Sequence, residues 1–167
     1  MDNEGYSGRD GRTSIFDYWS IDSIRRWRNK GRFGDAMLND NEKRLQAFYK
    51  KLLNTCNTEK AIRKGSFFDL MYVNHGSWTF NEHKQFAFFR KYEDELLLIL
   101  VNFDELPAHV GLNIPAHAFE TLNLKEIDNC PATDLLTDKE ETLTLMPNRQ
   151  LNTEVPSFGG KILRIIQ

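Results

Sequence analysis

Chemistry in a chain of this size has to come from a few side-chain constellations, and carboxylates are the most numerous candidates, with 24 Asp and Glu among 167 residues. Retaining glycoside hydrolysis, for example, needs two carboxyl groups about 5 to 5.5 Å apart across a sugar ring. Abundance alone does not make such a pair. Asp10, Asp17 and Asp22 fall in one loop-like stretch with Arg9, Arg12, Arg25 and Arg26, which reads as a solvated, salt-bridged surface. The histidines, His75, His83, His109 and His117, lack the spacing of a zinc site and no H-E-x-x-H pattern occurs. No nucleophile elbow or Gly-rich phosphate loop is present, and Gly159 and Gly160 read as a turn or bulge before a terminal strand. The residues therefore assign no catalytic side chain, no cofactor and no metal.

One segment has the materials for recognition. From Asn74 to Lys84, Trp78 and Phe80 stand among Asn, His and Ser, which offers flat aromatic faces for stacking on sugar rings and polar groups for hydroxyls. The favoured reading of Trp78 is structural, a plug at the end of a β-sandwich. The alternative makes Trp78 and Phe80 substrate-binding aromatics of a carbohydrate-binding surface.

Any such site needs elements to hold it, and composition bounds what they are. The chain is 28% charged and 40% hydrophobic with a net charge of −2, the balance of a globular domain with no basic excess for nucleic acid. Its longest apolar run, Leu96 to Val101, is far short of the roughly 20 residues that span a bilayer, and the first residues are not signal-like. No membrane or nucleic-acid partner is expected. Cys56 and Cys130 read as two reduced, structural thiols.

The hydrophobic period changes along the chain. From Asn39 to Asn57, Leu45, Phe48, Tyr49, Leu52, Leu53 and Cys56 fall on one helical face, opposite Lys43, Arg44, Lys50 and Lys51. Asn39 followed by Glu42 is a capping-box pattern for its start. A shorter helix is expected over Asp22 to Asn29 and a helical turn within Pro115 to Leu122. Beyond Phe67 the period becomes two, clearest at Val110, Leu112 and Ile114, at Leu143 and Leu145, and at Leu151, Thr153 and Val155. Further strands are expected over Phe67 to Val73, Gln85 to Tyr92, Glu95 to Phe103, Leu122 to Ile127, Ala132 to Thr137 and Lys161 to Ile166. Short strands at intervals of about 8 to 12 residues, with one long helix, predict a mainly β protein: an antiparallel, Greek-key-like β-sandwich of about eight strands preceded by a helical segment. The boundary is placed so that residues 1–65 form a loop and helix and residues 66–167 the sandwich.

Motifs then point to a family. "GRDGRTSIFDYW" at Gly8 to Trp19 resembles the segment after the eighth barrel strand in bacterial members of the alpha-amylase family, glycoside hydrolase family 13. "FYKKLLNTCNTEKAIRKGSF" at Phe48 to Phe67 resembles that family's final barrel helix and its exit. "LLLILVNF", "PATDLLT" and "VPSFGGKIL", at Leu96 to Phe103, Pro131 to Thr137 and Val155 to Leu163, resemble its C-terminal sandwich domain. The resemblance implies that residues 1–65 close a (β/α)8 barrel, and that the parent enzyme acts on α-1,4-glucans such as starch, glycogen and maltooligosaccharides by a retaining mechanism. It places the catalytic carboxylates, and any calcium bound by the parent, on barrel strands and loops upstream, so no catalytic or metal residue carries over. "VNHG" at Val73 to Gly76 has Gly76 where the family's carboxylate motif needs Asp.

The expected role is a non-catalytic C-terminal scaffold whose partner is the catalytic barrel. α-Glucan is the alternative partner, bound near Trp78. Trp19, Trp27, Phe33 and part of the Leu45 to Leu53 face would form the apolar surface facing the barrel and promote self-association without it. Localisation is left open, with the parent in the cytoplasm or exported to the periplasm or cell surface.

Overall fold

The structure is a computed structural model that describes residues 22–167. The expectations placed on Asp10, Asp17 and Trp19, and the motif at Gly8 to Trp19, lie outside the described residues. The chain divides into two compact units, residues 1–51 and 52–167. The sequence places the boundary at 65/66; the contacts place it inside the long helix, because Leu52 and the short helix that follows pack on the sheet.

In the first unit, α1 (Asp22–Arg28) runs into a 3-10 turn, Asn29–Gly31. The long helix α2 (Asp40–Thr58) starts with the predicted capping box. Glu42 N–H donates to Asn39 Oδ1 at 3.0 Å and Asn39 N–H donates to Glu42 Oε2 at 2.9 Å, so two orphan donors of the first turn are satisfied reciprocally. The same carboxylate receives Arg26 Nε at 3.0 Å, tying α1 to the start of α2. Trp27 and Phe33 meet edge to face at 5.2 Å. The apolar stripe of α2 is not a buried face, however: Leu45, Phe48, Tyr49 and Leu53 all remain exposed.

In the second unit α3 (Lys60–Lys64) precedes the strands β1 (Ser66–Asp69), β2 (Gln85–Tyr92), β3 (Glu95–Asn102), β4 (Ala108–Asn113), β5 (Ile127–Asp134), β6 (Lys139–Leu145), β7 (Gln150–Val155) and β8 (Gly159–Ile165). Two further short helices are α4 (Met71–Asn74) and α5 (Ala116–Leu122). A six-stranded sheet in the order β1-β2-β3-β8-β5-β6 and a two-stranded sheet β4-β7 form the sandwich, and every pairing is antiparallel. The chain crosses between sheets on both sides of β4 and again on both sides of β7, which is the Greek-key-like character expected.

The core forms as the alternation requires. Ala87, Phe89, Leu96, Leu98, Leu100, Leu163 and Ile165 from the large sheet meet Val110, Leu112, Leu151 and Val155 from the small one, with Leu70, Phe80 and Phe119 closing the cluster. Each fully buried Leu or Phe contributes about 1.5–3 kcal/mol relative to leaving it in water. No helix among the described residues is long and apolar enough to cross a membrane. Both cysteines are free, Cys130 in the core and Cys56 half-buried.

Three strand expectations need correction. β1 stops at Asp69, because Asp69 Oδ1 accepts the Met71 N–H at 2.8 Å and opens the turn α4 instead of continuing to Val73. Of the stretch Leu122 to Ile127, all but Ile127, which opens β5, is the end of α5, a left-handed cap at Asn123 and a loop; Leu122 and Leu124 are buried, but as helix and loop residues. β5 ends at Asp134 rather than Thr137, since that buried carboxylate accepts the Leu136 and Ile162 N–H groups and the Thr137 hydroxyl and so shapes a turn. Gly159 and Gly160 lie within β8, not in a turn; a Cβ on Gly160 would come 2.6 Å from Leu100 O, so the strand approaches its neighbour there only as glycine.

Candidate functional site

Two surfaces of the second unit stand out. The first is the segment between α4 and β2. Its entry is Asn74, wholly buried, which donates through Nδ2 to Leu70 O at 2.8 Å and Asn113 O at 3.1 Å and accepts Asn113 N–H on Oδ1 at 2.8 Å. Its exit is Phe80, 2% exposed and part of the main core. Between them Thr79 bonds Gly111 twice: Gly111 N–H donates to Thr79 O at 2.9 Å, and the Thr79 hydroxyl donates to Gly111 O at 2.8 Å. Gln150 Nε2 adds a bond to Thr79 Oγ1 at 3.1 Å. Only glycine permits this approach, since a Cβ on Gly111 would lie 2.9 Å from Thr79 Oγ1.

Trp78 stands on that held segment with a relative exposure of 103%. It is therefore not a plug at the end of the sandwich, which corrects the favoured sequence reading. Phe80 is corrected in the opposite sense: a side chain with 2% exposure offers no face to a ligand, and its work is to anchor the loop in the core. The two aromatics that the sequence paired are thus not brought together as a platform. Beside Trp78 is a shallow depression of about 360 Å³ lined by Ser77, Asn81, Glu82, Gln85 and His109 among others. Its own backbone N–H first, and then that of Gly76, hold the Glu82 carboxyl below the usual carboxylate range, so it is ionised at neutral pH.

The second surface is the outer face of the six-stranded sheet. One part is covered: Ala61 of α3, with Leu52 and Ile62, packs against Leu97, Ile162 and Leu135. Polar bonds fix this cover, with Glu95 Oε1 accepting the Ala61 N–H at 2.9 Å and Arg90 donating to Ala61 O at 3.0 Å and Ile62 O at 2.8 Å. The neighbouring part of the same face is bare. Phe67 and Phe88 are 5.2 Å apart and Phe86 and Phe88 5.7 Å apart, and Phe67 and Phe86 are exposed. Register puts these rings on the covered side of the sheet, since Phe88 is opposite Ile99 and Phe67 opposite Arg90. Alternation along β2 could have found this stripe, but Phe residues in a strand read equally well as core.

Among the described residues no three His, Cys, Asp or Glu side chains converge as a metal ion would require. A partly buried ionic cluster does occur where Lys161 Nζ meets Glu141 Oε1 at 2.7 Å and Thr153 Oγ1 at 2.8 Å. Its charges are mutually satisfied, and it joins β6, β7 and β8.

The fold has solved counterparts. An alpha-amylase of Anoxybacillus aligns with 17% identity and a TM-score of 0.51 over 74% of this chain and 23% of its own. The alpha-amylase from Geobacillus thermoleovorans solved with acarbose aligns with 15% identity and a TM-score of 0.52 over 81% of this chain and 24% of that one. A maltogenic alpha-amylase from Thermotoga neapolitana gives 12% identity and a TM-score of 0.53 over 71% and 25%. The class defined by the architecture is thus a helical segment followed by an antiparallel β-sandwich. That fold is the one these alpha-amylases contain, and the chain spans about a quarter of their length. No family model and no curated protein matches the sequence.

Proposed function

We propose that this chain acts as the C-terminal, non-catalytic region of an alpha-amylase-type glycoside hydrolase of family 13, a scaffold whose sandwich packs on a catalytic barrel and stabilises it. The observation that carries this reading is the half-covered outer face of the six-stranded sheet. An apolar face that is helix-covered at Leu97 and Ile162 and bare at Phe67, Phe86 and Phe88 is shaped to receive more of a helical layer, and the helices of a barrel are such a layer. The exposed Trp27, Phe33, Leu45 and Tyr49 of the first unit support the same reading. The likeness to alpha-amylase structures supports this reading, in which the parent would be an enzyme acting on α-1,4-glucans such as starch, glycogen or maltooligosaccharides by a retaining mechanism. In that division of labour the barrel holds the reacting carboxylates and this chain supplies buried area.

The test is sedimentation, binding of a hydrophobic dye, and reducing-sugar release from starch, all on the purified chain. Self-association and dye binding that fall when Phe67 and Phe86 are both changed to Ser, with no sugar released, are the expected results. A monomer at high concentration that binds no dye would overturn the scaffold reading, and so would turnover of starch.

A further inference from the structure

A tryptophan wholly in solvent is unusual, because burying its large apolar surface stabilises a fold and exposing it forgoes that gain. Trp78 is also the most exposed of the large hydrophobic side chains among the described residues. Its setting rules out looseness as the explanation. The residues on either side are held by bonds to β4 and β7 through Gly111 and Gln150, by a Ser77 N–H to Asn74 O bond at 3.1 Å, and by the buried Phe80. The segment returns to β2 through Gln85, whose N–H donates to Asn81 O at 2.7 Å and whose Oε1 accepts the Asn81 N–H at 2.9 Å. An aromatic ring presented on so tightly bonded a loop is preorganised, and a ligand stacking on it incurs little ordering cost.

The surroundings choose the kind of ligand. No other ring pairs with Trp78 among the described residues, and the depression beside it is lined chiefly by polar groups, Phe80 being buried, so the contiguous apolar patch of a protein or membrane contact is missing. One flat apolar face with hydroxyl, amide, carboxylate and imidazole groups beside it matches a pyranose ring, which has an apolar C–H face and a rim of hydroxyls. Gln85 spends its carbonyl oxygen on the Asn81 N–H, and its amide NH2 has no protein partner among the described residues. Glu82, held ionised, is an acceptor for sugar hydroxyls, and the His109 side chain is 89% exposed.

The geometry points to a saccharide-binding platform at Trp78, where the indole stacks on one hexopyranose ring of a glycan chain and Glu82, Gln85 and His109 take its hydroxyls. This goes beyond the scaffold reading and does not depend on it, since the platform lies on the loop and the scaffold reading on the outer sheet face.

The experiment is calorimetric titration of the whole chain with maltoheptaose and, separately, with cellohexaose. Saturable binding is expected for at least one of them. Trp78→Ala should weaken it at least tenfold, Trp78→Phe should weaken it less, and Trp27→Ala should leave it unchanged. Because Trp78 packs on nothing, the melting temperature of Trp78→Ala should match the parent chain, which separates lost binding from lost fold. Preference for the α- or the β-linked chain, or equal binding of both, upholds the platform and reports which linkage it accommodates. Absence of binding to both saccharides, or Trp78→Ala binding as tightly as the parent chain, would overturn it.

Discussion

Asn74 and Asn113, which are 39 residues apart in sequence, pair reciprocally: the Asn74 side chain donates to the Asn113 carbonyl and accepts the Asn113 N–H. A third bond runs from the same amide to Leu70 O. One buried side chain thus does for the end of β4 what a neighbouring strand would otherwise do. Replacing Asn74 with Leu should leave a buried N–H and two carbonyls unsatisfied. The expected loss is about 2–4 kcal/mol, given about 1–3 kcal/mol for each orphaned group and partial rescue by water. Urea unfolding followed by circular dichroism will measure it, and a loss below about 0.5 kcal/mol would show that the pair is dispensable.

Gly65 sits where α3 meets β1 at an ordinary negative φ, so its role is space rather than backbone freedom. A Cβ there would lie 2.4 Å from Ala61 O and 2.7 Å from Lys91 O. Both obstacles are backbone. Gly65→Ala should therefore cost about 1–3 kcal/mol through overpacking, read as a lowered melting temperature. An unchanged melting temperature would mean that α3 can shift away without loss.

Glu42 is held below the usual carboxylate range, first by its hydrogen bond from Arg26 and then by the Asn39 backbone N–H. A lowered folded-state pKa stabilises the fold above the ordinary value of 4.5, and the contribution is lost as pH falls through the folded value. Carboxyl chemical shifts should show Glu42 titrating below 4.5 in the parent chain and moving up towards it in Arg26→Met. A titration curve unaffected by Arg26→Met would remove Arg26 as the main cause.

Phe80 and Trp78 are two residues apart and should respond oppositely to truncation. Phe80→Ala empties part of the main core, and a loss of about 3–5 kcal/mol is expected, whereas Trp78→Ala should stay within about 0.5 kcal/mol. Thermal melts of the two variants side by side decide the point; equal losses would mean that the loop does not divide into an anchor and a displayed ring.

These two residues also show how far the sequence was readable. Strict alternation at Val110, Leu112 and Ile114 and the unbroken run Leu96 to Leu100 have few structural solutions, and β3 and β4 formed where expected. The capping box of Asn39 and Glu42 was equally plain, because its chemistry is local. Trp78 and Phe80 were not separable, because an aromatic in a polar loop gives no sign of which way it points until Gly111 and Asn113 of β4 fix the backbone of the segment. The bare stripe of Phe67, Phe86 and Phe88 was hidden for a related reason. Apolar residues on both faces of a strand state that both faces avoid water, not whether each is covered within the same unit. The resemblance to alpha-amylases, carried by short motifs, pointed to a fold that the solved structures then matched.

The last strand of the chain fills the middle of the large sheet. β8 pairs with β3 along Leu96 to Asn102 and with β5 along Ala132 to Asp134. Until residues 159–165 leave the ribosome, β3 and the β5-β6 hairpin have no strand between them, and the inner leucines of β3 face an incomplete core. Folding of this unit is thus deferred until its final strand has been made, and the nascent chain must keep two adhesive strand edges from other polypeptides in the interval.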